Sequence, residues 1–176
     1  MSQNQNRQYN SIYKSDLFAG QNIVVTGGGS GIGRCTAHEL ASLGAHVMLL
    51  GRTPEKLETV KAEIETDGGA ASCYSLDLRE EPSVVATIGK IITDHGQIHH
   101  LVSNAGGQYP TPVAKISANG FDSVVRNNLH AHFHICREVY NQSMEQNGGS
   151  IVTMTADHWG GMPNMGHSGA ARAGTL

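Results

Sequence analysis

Three parts of this sequence carry groups suited to chemistry. The stretch TGGGSGIGR (26–34) lies between an apolar, β-branched run and a helical one. Glycine there lets the main chain approach a ligand closely and lets a helix pack against a strand. Gly27, Ser30, Gly31, Ile32 and Gly33 would then turn free N–H groups of a helix N-terminus toward a phosphate. Further on, Phe121, Val125, Asn128, His132, Cys136 and Val139 recur at spacings of three and four, so Asn128 interrupts an apolar helical face. A buried amide costs free energy unless it is hydrogen-bonded, so Asn128 is expected either to serve a reaction or to tie the helix to a sheet. The run HAHFH (130–134) sets His130 and His134 four apart. A metal pair would need more ligands than a helix surface supplies, and no carboxylate stands nearby. No metal is expected, and these histidines are assigned to a solvated or subunit-facing surface.

These groups need a scaffold, and the sequence alternates in a way that provides one. NIVVT (22–26), AHVMLLG (45–51), AASCYSL (70–76), HHLVSN (99–104) and SIVTMT (150–155) are short apolar runs. Between them stand helical patterns: 31–44, 54–69 with Pro54 in its first turn, 81–96 with Pro82 near its start, and a longer one over about 118–145. Continuous apolar strands separated by amphipathic helices imply a parallel sheet covered on both faces. With right-handed crossovers, this is a doubly wound α/β sheet, the Rossmann fold. Residues 1–18 are polar and aperiodic and read as a flexible arm, leaving 19–176 as one dinucleotide-binding domain.

Bulk properties narrow the function. A formal net charge of −3 offers no electrostatic case for nucleic acid or an anionic membrane surface. No apolar run approaches the ~18 residues of a membrane span, and the N-terminus lacks the apolar core of a secretory signal. Cys35, Cys73 and Cys136 are scattered without a CxxC pair and read as reduced, buried thiols. The expected setting is the cytoplasm.

The sequence resembles the short-chain dehydrogenase/reductase family. Its TGxxxGxG pattern is met by Thr26, Gly27, Gly31 and Gly33, and its NAG by Asn104, Ala105 and Gly106. The acidic residue that contacts adenine in the family is matched by Asp77, with Leu78 beside it. The resemblance implies a nicotinamide cofactor extended across the strand C-termini, and a small-molecule or acyl-CoA substrate. It also implies a proton-relay water held at Asn128, and a homo-oligomer in the complete form. Where the second strand ends, an acid would bind the ribose hydroxyls and repel a 2′-phosphate. Gly51-Arg52 stands there instead, which favours NADP(H) over NAD(H). The alternative is that Arg52 caps a solvated loop beside Glu55.

The tail departs from the family pattern. After the fifth strand the family places a serine or threonine, matched by Thr155 or Ala156, and then Tyr-x-x-x-Lys. Here that spacing is held by Ser168 and Arg172. The run HSGAARAG is similar to the enoyl-CoA and 2,4-dienoyl-CoA reductase branch, which implies reduction of an enoyl thioester. Some members of that branch draw the acid from just after the fifth strand, where His158 stands; the alternative is a loop histidine capping Trp159. Arg172 stays charged and cannot act as an adjustable acid, but it can hold ribose or phosphate. The sequence is expected to be truncated, with the family's last C-terminal strands missing. Two rival functions remain open at this point. One is an alcohol or carbonyl dehydrogenase; the other is a non-catalytic nucleotide-binding or interaction module that has lost its proton donor.

Overall fold

Each apolar run is too short for a helix and too continuous to face water on one side. In the computed structural model, which describes residue 9 and residues 11–157 and 159–175, the runs form β1 (Asn22–Thr26), β2 (His46–Gly51), β3 (Ala70–Ser75), β4 (His100–Ser103) and β5 (Ser150–Thr153). They lie in one sheet in the order β3-β2-β1-β4-β5, every neighbouring pair parallel. The chain steps outward from β1 to β3, then returns to the other flank of β1 as β4. This reversal opens a crevice beyond the carboxyl ends of β1 and β4, where a doubly wound sheet receives a ligand.

Strand alternation sends side chains to two separate cores. Ile23, Val25, Val47 and Leu49 face α1 (Gly31–Ser42) and α2 (Pro54–Thr66), packing with Ala37, Ala41, Leu57, Val60 and Ile64. Val24, Met48, Leu50 and Leu101 face the opposite layer. There α3 (Glu81–His95) contributes Val84, Ile88 and Ile91. Pro54 and Pro82 sit in the first turns of α2 and α3, where a missing N–H costs nothing.

The long helix runs end to end from Ala118 to Asn147, but not as a uniform α-helix. It comprises α4 (Ala118–Val125), a π turn (Arg126–His130), α5 (Ala131–Val139), a second π turn (Tyr140–Met144) and α6 (Glu145–Asn147). Ser117 caps its start, its Oγ accepting from Gly120 N–H. The buried row is Val124, Asn128, Ala131, Ile135 and Val139, not the row through Phe121, Val125, His132 and Cys136. Both rows satisfy helical spacing and share Asn128 and Val139; the sheet takes the one with the smaller and aliphatic side chains. Phe121 is left 40% exposed. Of the histidines assigned to the surface, only His130 is exposed. His134 Nδ1 lies 3.1 Å from the Leu78 carbonyl, and His132 Nδ1 lies 2.8 Å from Ser103 Oγ.

After β5, α7 (Gly166–Ala173) packs on α4 and the first π turn and buries His167, Ser168, Ala171 and Arg172. The described part of the N-terminal segment runs along α1. Tyr9 and Ser11 hydroxyls both donate to the Glu39 carboxylate, and Phe18 N–H bonds the Leu43 carbonyl. The three thiols are unpaired, but the expectation of uniform burial fails at Cys35, which is exposed on α1 because the buried face of that helix runs through Gly33, Ala37 and Ala41.

Candidate active site

The crevice is built around one threonine. Thr26, fully buried at the end of β1, accepts hydrogen bonds at Oγ1 from the N–H groups of Asn104 and Ala105, each at 2.9 Å. Asn104 Nδ2 in turn donates to the Thr26 carbonyl at 3.0 Å. The loop after β4 is thereby locked beside the glycine turn. Gly27 takes a left-handed φ of +68°, and a Cβ on Gly33 would lie 2.3 Å from the Gly27 carbonyl oxygen. Glycine at 33 is what lets α1 start so close to β1.

Ser30 precedes α1 in an extended conformation, and its side chain caps nothing. The first-turn N–H groups of α1 are therefore still available as donors, with Ile32 beside them 61% exposed. Gly31 adopts φ +55° with open space where a Cβ would stand. These features fit a pyrophosphate group: backbone donors, the positive end of a helix and no side chain in the way.

The cleft has a volume of about 370 Å³. Its walls include Gly27, Ser30 and Ile32 on one side and Asn104, Ala105 and Gly106 on the other, while Arg52, Asp77 and Leu78 line its far end. Sequence reasoning missed Lys56, which lines the same end one helical turn after Arg52. Arg52 is exposed and enters no ion pair among the described residues, with Glu55 or otherwise. Asp77 is held by Arg79, which donates to it from its main-chain N–H and from two side-chain nitrogens. That pairing lowers the Asp77 carboxyl to about 2.

At the other end of the cleft the π turn shapes the Asn128 side chain. Ala131 N–H reaches back to the Arg126 carbonyl, and Asn128 Nδ2 takes the Val124 carbonyl at 2.8 Å. The same nitrogen donates to the Gly107 carbonyl at 2.8 Å, and Oδ1 accepts from Gly107 N–H at 3.1 Å. Both amide hydrogens are thus committed to main chain, and the side chain pins the segment after Gly106 to the helix. Gly106 allows the close approach: a Cβ there would lie 2.2 Å from Arg172 Nη2 and 2.6 Å from Asn128 Oδ1.

Arg172 is largely buried, and its Nη1 donates to the Met154 carbonyl at 2.5 Å. No carboxylate pairs with it among the described residues, and burial pushes its pKa down. Thr155 Oγ1 donates to the Arg172 carbonyl at 3.3 Å. Ser168 is 1% exposed, with no partner for its hydroxyl among the described residues. His158 lies outside the described residues. The structure therefore brings Gly106, Asn128, Thr155 and Arg172 together, with Ser168 one turn before Arg172 on the same buried face. Among the described residues no group of three or more potential ligands could hold a metal, and no helix is long and apolar enough to cross a membrane.

Residues 21–174 match the short chain dehydrogenase family. A probable 2,4-dienoyl-CoA reductase [(2E)-enoyl-CoA-producing] of Bacillus subtilis is 34% identical over 156 residues, covering 88% of this chain and 61% of the relative. The chain thus spans about three-fifths of that relative's length. Among solved structures, a citronellol catabolism dehydrogenase of Pseudomonas aeruginosa superposes with a TM-score of 0.92 at 59% identity, covering 95% of this chain and 69% of that one. An NAD+-bound xylitol dehydrogenase superposes with a TM-score of 0.86 at 33% identity, covering 90% of this chain and 62% of the other.

Proposed function

The chain belongs to the short-chain dehydrogenase family, and from that premise we propose that it is a nicotinamide-dependent oxidoreductase that prefers NADP(H) and reduces an enoyl-CoA or a carbonyl compound. The carrying observation is the cleft itself, where unspent donors at the start of α1 share one wall system with Arg52 and Lys56. The bound cofactor would supply the hydride donor or acceptor. Gly27, Gly31 and Gly33 would admit its pyrophosphate to the helix N-terminus, and Asp77 and Leu78 would receive the adenine. Arg52 and Lys56 would meet a 2′-phosphate, where an acid would repel it. Asn128, by holding Gly107, keeps the wall beside the reacting end in place. Arg172 presents a fixed positive charge there, suited to ribose hydroxyls.

Titration with NADPH and NADH, followed by quenching of protein fluorescence, tests the cofactor assignment. NADPH is expected to bind at least about tenfold more tightly, and Arg52→Ala to remove about a factor of ten for NADPH while leaving NADH unchanged, the loss expected of one charged hydrogen bond. Equal affinities, unaffected by Arg52→Ala, overturn it.

One observation favours a second substrate class. The solved relative at 59% identity is named for citronellol catabolism, which supports an alcohol or aldehyde of that kind as the rival to the enoyl thioester. Turnover of citronellol or its aldehyde without turnover of enoyl-CoAs would decide for it. NADPH binding with no turnover of either class would favour the non-catalytic module.

A further inference from the structure

His167 is 0% exposed, yet among the described residues neither ring nitrogen has a hydrogen-bond partner, and the neighbouring Ser168 hydroxyl shares that condition. An unpartnered buried polar group costs about 1–3 kcal/mol, so an imidazole kept only to fill space would be replaced at a gain by an apolar ring. Both orphaned groups sit on the first turn of α7, one turn before Arg172.

One ring lies over His167. Tyr109, three residues beyond Gly106, meets it edge to face with centroids 4.8 Å apart and planes at 88°. Tyr109 is itself 43% exposed, so its outer side faces solvent. Its hydroxyl rests on α4, where a Cβ on Gly120 would lie 2.1 Å away. The cover belongs to a loop joined to the segment before α7 by Thr111 N–H to the Asn164 carbonyl at 2.7 Å. The charged and titratable residues on the elements packed against α7, Asp122 of α4 and Arg126 and His130 of the π turn, are exposed, as is Lys115. The groups near His167 are therefore the Tyr109 phenol and, farther along its own helix, the Arg172 guanidinium.

We propose that His167 is the proton-exchanging group of the substrate site and that Tyr109 is its removable cover. The assignment rests on the oxidoreductase reading above. In the reducing direction, a bound nicotinamide would supply hydride for a new C–H bond at the electrophilic carbon. The displaced π electron pair moves to the carbonyl or enolate oxygen. The His167 imidazolium N–H bond breaks as that oxygen, or the α-carbon, takes the proton. Neutral imidazole would remain, the hydride donor having been oxidised, and water would reprotonate the ring. Arg172 cannot fill this role, because its guanidinium does not exchange a proton near neutral pH.

The test compares wild type, His167→Asn and Gly120→Ala, which crowds the Tyr109 hydroxyl without altering either ring. It uses NADPH with an enoyl-CoA, a ketone and citronellal. His167→Asn is expected to lower kcat by about 10²–10⁴-fold, the range for a general acid, with NADPH affinity kept and one limb of the kcat pH profile lost. Exchange of the His167 ring C2 proton, read by mass spectrometry of its peptide, is expected to be slow in wild type. It should become at least about threefold faster in Gly120→Ala and on adding substrate to the NADP+ complex. A His167→Asn variant that keeps kcat and both pH limbs overturns the proposal while the oxidoreductase reading stands. If that variant fails to fold, exchange at His167 decides: a rate unmoved by substrate and by Gly120→Ala overturns it. Absence of turnover by wild type on all three substrates is instead the failure of the oxidoreductase reading, and this proposal falls with it.

Discussion

Thr26 and Asn104 are joined twice: the threonine hydroxyl accepts the Asn104 N–H at 2.9 Å, and the asparagine Nδ2 donates to the Thr26 carbonyl at 3.0 Å. With Ala105 N–H on the same hydroxyl, this lock holds the two loops that face each other across the crevice.

Replacing Thr26 with valine keeps the volume and removes the shared acceptor. Two N–H groups beside a fully buried position then lose their partner, which is expected to cost about 2–6 kcal/mol at about 1–3 for each orphaned group. Thr26→Ser should recover most of it. Urea unfolding of the three proteins checks this, and a valine variant as stable as wild type would mean that the lock carries no net energy.

The two glycines at the head of α1 should respond differently to alanine. At Gly33 the methyl would overlap the Gly27 carbonyl, 2.3 Å away, and α1 would have to move off β1. A loss of about 3 kcal/mol or more is expected, at the upper end for overpacking. At Gly31 there is open space but a φ of +55°, so the expected cost is the ~1–2 kcal/mol of a left-handed residue. The Gly31 variant should fold and bind NADPH weakly, because its methyl enters the space left for phosphate. Thermal melts and cofactor titration separate the two effects.

Burial lowers the pKa of His46, His100 and His132, helped in turn by His95, His99 and Arg172. Each imidazole binds its proton less tightly folded than unfolded, so the unfolded chain gains protons as pH drops below the ordinary value of about 6.5. Stability present above that pH is therefore lost as pH falls toward the lower folded values. Asp77 does not contribute in this window, since its stabilisation is lost only as pH falls from the ordinary carboxyl value of 3.8 toward about 2. Urea midpoints should fall between about pH 7 and pH 5, and His46→Gln, which can still bond Ser72 Oγ, should make the slope shallower. A flat profile over that range would count against the three histidines.

Thiol labelling should follow exposure and ionisation. Cys35 is exposed, whereas burial pushes the Cys73 and Cys136 thiols up to about 11. At about pH 8, iodoacetamide is expected to modify Cys35 well before the other two, because the thiolate is the reacting species. Peptide mapping against time checks the order; equal rates would contradict it.

Much of the cleft was legible in the sequence, the glycine turn from its place between a strand and a helix, and the Asn104-Ala105-Gly106 loop and Asp77 from the family resemblance. The glycine turn, the Asn104-Ala105-Gly106 loop and Asp77 each sit directly after an apolar run, and a parallel sheet brings all strand C-termini to one edge. Lys56 escaped notice because nothing in PEKLET distinguishes a cleft-facing lysine from a solvated one. The buried row of the long helix was misplaced for a different reason. Phe121–Val125–Asn128–His132 and Val124–Asn128–Ala131–Ile135 both obey helical periodicity, and only packing against the sheet chooses between them.

By itself the sequence determined the alternation of strands and helices, the doubly wound sheet and the glycine turn between β1 and α1, since each depends on neighbours a few residues apart. Tertiary structure decided what depends on residues far apart in the chain. It committed the Asn128 amide to Gly107 and Val124, set Arg172 against Gly106, and buried His167 beneath Tyr109 without a hydrogen-bond partner among the described residues. Satisfaction of a buried polar group is a property of everything packed around it, and no local pattern records what the rest of the fold will bring to that place.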